Sequence, residues 1–153
     1  MRPARSGYGL AGPRAAAPFE ALRARAEAAA VRPSVFLACL GPLAEHAPRA
    51  MWVKGLYEIV AARVVTSPSL PDPVAAVAAW RASGAPLAVL CGADEAFVAH
   101  GAAFVSALKE AGARVVLAGR PRGLELPVDA KVWAGLDVVA ALATELDAQG
   151  ARP

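Results

Sequence analysis

A chain of 153 residues has the length of one compact domain and can bury a core without disulfide or metal staples. Hydrophobic residues make up 57% and charged residues 19%, which excludes bulk disorder. No window reaches the ~18 uninterrupted apolar residues of a membrane span, because Arg, Asp, Glu or Pro interrupts every run. The formal charge of +3 is unevenly placed: residues 1–32 hold six Arg and two Glu, whereas residues 33–153 hold ten Lys plus Arg against eleven acids. The part expected to fold is close to neutral and offers no basic face for phosphate, which argues against nucleic-acid binding.

Met1–Arg14, with three Gly and two Pro, reads as a flexible basic tail. It has no apolar stretch of secretory-signal type. Residues 15–32 read as a linker or docking helix, with Pro18 in its first turn and Phe19, Leu22 and Ala26 on one face that needs covering. Residues 33–150 then alternate between strand-like and helical stretches. Ser34–Leu40 is a continuous apolar run of strand length, followed by a helix over about 47–60 with Pro48 near its start. Arg63–Thr66 predicts a second strand and 67–71 a loop. Asp72 is expected to cap a helix that ends at Gly84. Pro86–Cys91 predicts a third strand, with Asp94 capping a helix to about Ala111. Arg114–Ala118 predicts the fourth strand and residues 128–133 the fifth, and Asp137 is expected to cap a last helix. Strands separated by helices, with no hairpin signal, imply an α/β fold: a flavodoxin-like (Rossmann-like), doubly wound, five-stranded parallel sheet.

In such a sheet, ligands sit beyond the carboxyl ends of the strands. The loops there supply Gly41, Glu45, His46, Gly92, Asp94, Gly119, Arg120, Arg122, Gly135 and Asp137. Glu45–His46 can transfer protons or hold a metal, but nothing nearby completes a triad or a ligand set, so an exposed surface histidine is the simpler expectation. His100 is expected on an exposed helix surface. Gly41 stands alone, without a Gly-x-Gly-x-x-Gly or P-loop pattern. Cys39 and Cys91 each end an apolar run; as two buried thiols they suit a reduced, cytoplasmic protein rather than a disulfide framework. Cys91 has no histidine placed to activate it. Asp94 and Asp137 are most simply helix caps. Arg120 and Arg122 form a basic pair that can meet an anion or simply face solvent. No catalytic residue and no metal site emerges.

Three segments in order carry a resemblance: Val35-Phe-Leu-Ala-Cys-Leu-Gly-Pro-Leu-Ala-Glu-His46, Leu90-Cys-Gly-Ala-Asp-Glu95 and Val116-Leu-Ala-Gly-Arg-Pro121. Together they resemble the C-terminal, cobalamin-binding-type domain of the small subunit of heterodimeric methylmalonyl-CoA mutase. Pro18–Arg23 is similar to the linker helix before that domain, so the resemblance covers about residues 15–150. It implies membership of an adenosylcobalamin-dependent isomerase that interconverts methylmalonyl-CoA and succinyl-CoA, with a catalytic large subunit as partner. The family's small subunit also carries a large N-terminal barrel domain, which this segment does not include.

Catalytic members carry Asp-x-His-x-x-Gly after the first strand, whose His ligates cobalt. Anchored on Gly41, those positions here are Leu43, Glu45 and Pro48; shifted to use His46, they are Ala44, His46 and Arg49. Neither register preserves the motif, and His46 lacks the carboxylate that would orient it. The family's Ser-x-Leu falls at about Cys91 and Ala93, and its Gly-Gly at Gly119-Arg120, where an Arg is expected to intrude on the channel for the cofactor's nucleotide tail. The resemblance therefore implies a degenerate domain that binds no cofactor and plays a structural, non-catalytic part. The alternative is an active cobalamin module with His46 as axial ligand and Gly41, Cys91 and Gly119 around the cofactor.

Overall fold

The computed structural model describes residues 13–151, and residues 1–12 of the expected tail lie outside the described residues. The elements run α1 (Pro13–Ala28), β1 (Ser34–Cys39), α2 (Leu43–Ile59), β2 (Arg63–Ser69), α3 (Pro73–Ser83), β3 (Leu87–Cys91), α4 (Asp94–Ala96), a π-helical turn (Phe97–Gly101), α5 (Ala102–Glu110), β4 (Arg114–Ala118), β5 (Ala130–Val132) and α6 (Val138–Ala148). All five strands are parallel, in the order β2-β1-β3-β4-β5. This is the flavodoxin-like order, with the reversal between β1 and β3.

Past Ser34 of β1 and Arg114 of β4, the central strands are apolar because both of their faces are covered. Val35, Leu37, Cys39, Val89 and Val116 point into one core layer with Val53, Leu56 and Tyr57 of α2 and with Leu142 and Leu146 of α6. Phe36, Ala38, Leu40, Leu90 and Leu117 point into the other, against Ala76 of α3 and Phe104, Val105 and Leu108 of α5. The period-two alternation of side chains along each strand builds both layers from one run.

Four elements differ from the sequence expectation. Helix α1 begins at Pro13, so Pro18 lies inside it, and its Leu22 and Ala26 are buried in the first core layer against α6. The face that needs covering is thus covered, at Leu22 and Ala26, within the domain. Helix α2 starts at Leu43, four residues before the expected start, with Pro42 as an extended N-cap and Pro48 inside the helix. A proline at that depth removes one backbone donor, and the burial of Ala50, Val53, Leu56 and Tyr57 outweighs the loss. Strand β2 runs to Ser69 and includes Pro68, which an edge strand tolerates because one of its backbone rows faces away from the sheet. Asp94 is the first helical residue after an Ala93 cap; it is not the cap itself, because its carboxylate meets Arg49 instead. Asp72 and Asp137 do cap, accepting from Ala75 N at 2.8 Å and Ala140 N at 3.1 Å.

Arg114 at the start of β4 donates twice to Glu145 of α6, at 2.7 and 2.8 Å, and the Glu145 side chain is only 6% exposed. Removing the carboxylate strands the guanidinium at the sheet's edge layer. Glu145→Ala is expected to cost about 2 kcal/mol in urea unfolding, below the usual cost of breaking a fully buried pair because Arg114 keeps some solvent.

Candidate functional site

An open cleft of about 700 Å³ lies beyond the carboxyl ends of β3, β4 and β5. Helix α2 supplies Glu45, Arg49 and Trp52, spaced at one helical face. The turn after β3 supplies Gly92, Asp94 and Glu95; the turn after β4 supplies Gly119 and Arg120; Trp133 follows β5.

Arg49 crosses the floor of this cleft. Its Nη1 donates to the Gly92 carbonyl at 2.6 Å and to Asp94 Oδ1 at 3.1 Å, and its guanidinium stands 5.7 Å from the centre of the Phe97 ring. The same guanidinium packs on Gly119: a Cβ there would lie 3.0 Å from Nη1 and 3.1 Å from Cζ, and φ is +133°. The positive φ favours glycine at 119 whatever the space around it. Arg120 turns away from the floor and stacks its guanidinium 4.4 Å above the Trp133 ring, at the exposed rim. The residue lying against Gly119 is Arg49, from the facing helix, while Arg120 remains among the residues that line the cleft. Arg122 is exposed in the following turn and is not among the cleft residues.

His46 is one residue away from Glu45 and yet faces elsewhere. It is 3% exposed, lines a separate groove between α2 and β2, and shares a 2.9 Å hydrogen bond between Nε2 and Ser69 Oγ. The expected exposed histidine is corrected: successive residues on a helix are turned by about 100°, which carries position 46 under the β2 edge. His100 is exposed, as expected, within the π-helical turn. Gly41, in the left-handed region, sits where a Cβ would meet Glu45 Oε1 at 3.3 Å. Cys39 and Cys91 are buried register partners at the ends of β1 and β3, both free. Gly135 lies in the turn before α6, outside the cleft.

The chemistry this permits is narrow. Burial pushes the Cys91 thiol well up, reinforced by Cys39 and opposed weakly by Arg49, so it stays protonated at neutral pH. Burial also raises Cys39, against a hydrogen bond with Ser67 that lowers it. Among the described residues no group of three or more His, Cys, Asp and Glu is placed to hold a metal ion, and no helix is long and apolar enough to cross a membrane. The cleft contains carboxylates and two arginines, with no histidine or thiolate to act as base or nucleophile. A thiol reagent such as Ellman's is expected to leave both cysteines unmodified in the native chain and to titrate two in urea; rapid modification of native Cys91 would contradict its protonated, buried state.

Sequence reasoning missed Arg49 and the two tryptophans. The signal was present as Glu45, Arg49 and Trp52 at i, i+4 and i+7, but it is legible only if the helix starts at Leu43.

No protein-family model matches the chain. It is 42% identical over 137 residues to the methylmalonyl-CoA mutase small subunit of Streptomyces virginiae, covering 86% of this chain and 22% of that protein. It is 32% identical over 158 residues to the protein of the same name from Propionibacterium freudenreichii subsp. shermanii, covering 97% of this chain and 24% of that protein. The chain thus spans about a quarter of the length of the curated relatives it matches. Over most of its length, this chain is a homologue of a domain-sized portion of methylmalonyl-CoA mutase small subunits.

Proposed function

We propose that this chain is a structural, non-catalytic component of an adenosylcobalamin-dependent methylmalonyl-CoA mutase, docking on a catalytic large subunit that performs the isomerisation. The small-subunit name of both relatives supports the assembly role. The observation that carries the non-catalytic part is the floor of the cleft, where Arg49 is bonded to Gly92 and Asp94 and packed on Gly119.

Cobalamin does not suit these residues. Under the alternative in which His46 would hold the cobalt, its imidazole would face the cleft, and it instead shares a hydrogen bond with Ser69 in the neighbouring groove. A buried cofactor tail needs a channel lined by small residues, and the Gly119 surface is already covered by a guanidinium. We therefore assign no cofactor-binding role to His46, Gly41, Cys91 or Gly119. The two buried thiols accord with a reducing, cytoplasmic setting.

The reading is tested by expressing the chain with a methylmalonyl-CoA mutase large subunit, purifying on a tag carried by the chain, and assaying succinyl-CoA formation. The expected result is a stoichiometric complex whose activity is lost when the large subunit's active site is mutated and not when the chain's Glu45 or Asp94 is. Absence of any complex, or isomerase activity in the chain alone, would overturn it.

A further inference from the structure

The partners gathered at the floor of the cleft are those of a cation site. Arg49 Nη1 donates to the Gly92 carbonyl at 2.6 Å and to Asp94 Oδ1 at 3.1 Å. The same guanidinium stands 5.7 Å from the centre of the Phe97 ring and rests on the bare backbone of Gly119. A carbonyl, a carboxylate, an aromatic ring and a surface without a side chain suit a flat, delocalised cation with several donors.

The walls of this site are held by contacts in which Arg49 takes no part. A Cβ on Gly92 would lie 3.1 Å from the Leu40 carbonyl oxygen, so the turn after β3 is wedged against the end of β1. Leu40 N in turn donates to the Cys91 carbonyl at 2.8 Å. Gly119 N donates to the Val132 carbonyl at 2.7 Å, which ties the turn after β4 to β5. Phe97 is fully buried in the second core layer. The sheet and its turns therefore build the site, and Arg49 enters it from α2.

Two further observations bear on what the site takes. The Arg49 side chain is 32% exposed and that of Asp94 48%, so their pair adds little to stability and the fold does not depend on it. Without Arg49, the charged residues lining the cleft are Glu45, Asp94 and Glu95 against Arg120 alone, an excess of carboxylate that favours a cation.

We propose that the floor of the cleft is a guanidinium-binding site that the chain fills with its own Arg49, an internal occupant that shuts the site to ligands from outside. The ligand class of the emptied site is a monosubstituted guanidinium. This deepens the non-catalytic reading above and rests on the same Arg49 contacts.

The test is calorimetric titration of the unaltered chain and of Arg49→Ala with ethylguanidinium, which supplies the atoms that the substitution removes. Ethylammonium, a cation of equal charge without the planar fork, is the comparison. Arg49→Ala is expected to stay folded, to bind ethylguanidinium saturably at millimolar concentration and to gain melting temperature from it. Ethylammonium is expected to bind that variant at least ~10-fold more weakly. Adding Asp94→Ala is expected to weaken ethylguanidinium binding at least ~10-fold, because a charge-assisted bond is lost. The unaltered chain is expected to bind neither cation.

Saturable binding to the unaltered chain would mean that Arg49 does not fill the site, and would overturn the proposal. An Arg49→Ala chain that folds and binds no ethylguanidinium, or that fails to fold, would overturn it too, because the walls would not stand as a receptor without Arg49. These outcomes leave the non-catalytic reading in place, since that reading falls only with isomerase activity in the chain alone or with the absence of a complex.

Discussion

Arg49 reaches from α2 across the carboxyl ends of β3 and β4, donating to the Gly92 carbonyl, pairing with Asp94 and lying flat on Gly119. One guanidinium thereby ties the helix after the first strand to the turns after the third and fourth. Its pairing partner Asp94 is the first residue of α4 and makes no cap hydrogen bond there. An arginine suits this position where a lysine would not, because its planar fork can satisfy a carbonyl and a carboxylate together while its face packs on a glycine. Ion pairs this exposed contribute little alone; what gives the contact its weight is that it occupies the place where a doubly wound sheet ordinarily receives its ligand.

Much of the architecture was legible in the sequence, for a physical reason. A strand covered on both faces is apolar along its buried length, and the runs at Val35–Cys39, Leu87–Cys91 and Val115–Ala118 have that character, with glycine soon after each. Helices α3 and α6 were readable from Asp72 and Asp137, which cap as their chemistry suggests. The edges were harder. β2 has Thr66, Pro68 and Ser69 exposed, so its strand character comes from pairing with β1 and leaves only a short trace in composition. Pro48 pointed to a helix start, whereas the helix begins five residues before it at Leu43.

That shift explains why the site was only partly legible. With the helix begun at 47, Glu45 and His46 read as neighbours in one loop. With it begun at 43, they fall on different faces, and the residue that shares Glu45's face is Arg49. The Arg49 contact was not legible in the sequence, because it joins residues more than forty positions apart.

The central proposal is that the cleft of this domain is held together by the protein's own arginine and takes no cobalamin. A visible-absorbance titration of the purified chain with adenosylcobalamin and hydroxocobalamin measures this most directly. The account predicts spectra that remain those of the free cofactor through the micromolar range, for the unaltered chain and for His46→Ala alike. A saturable base-off shift that His46→Ala abolishes would contradict it.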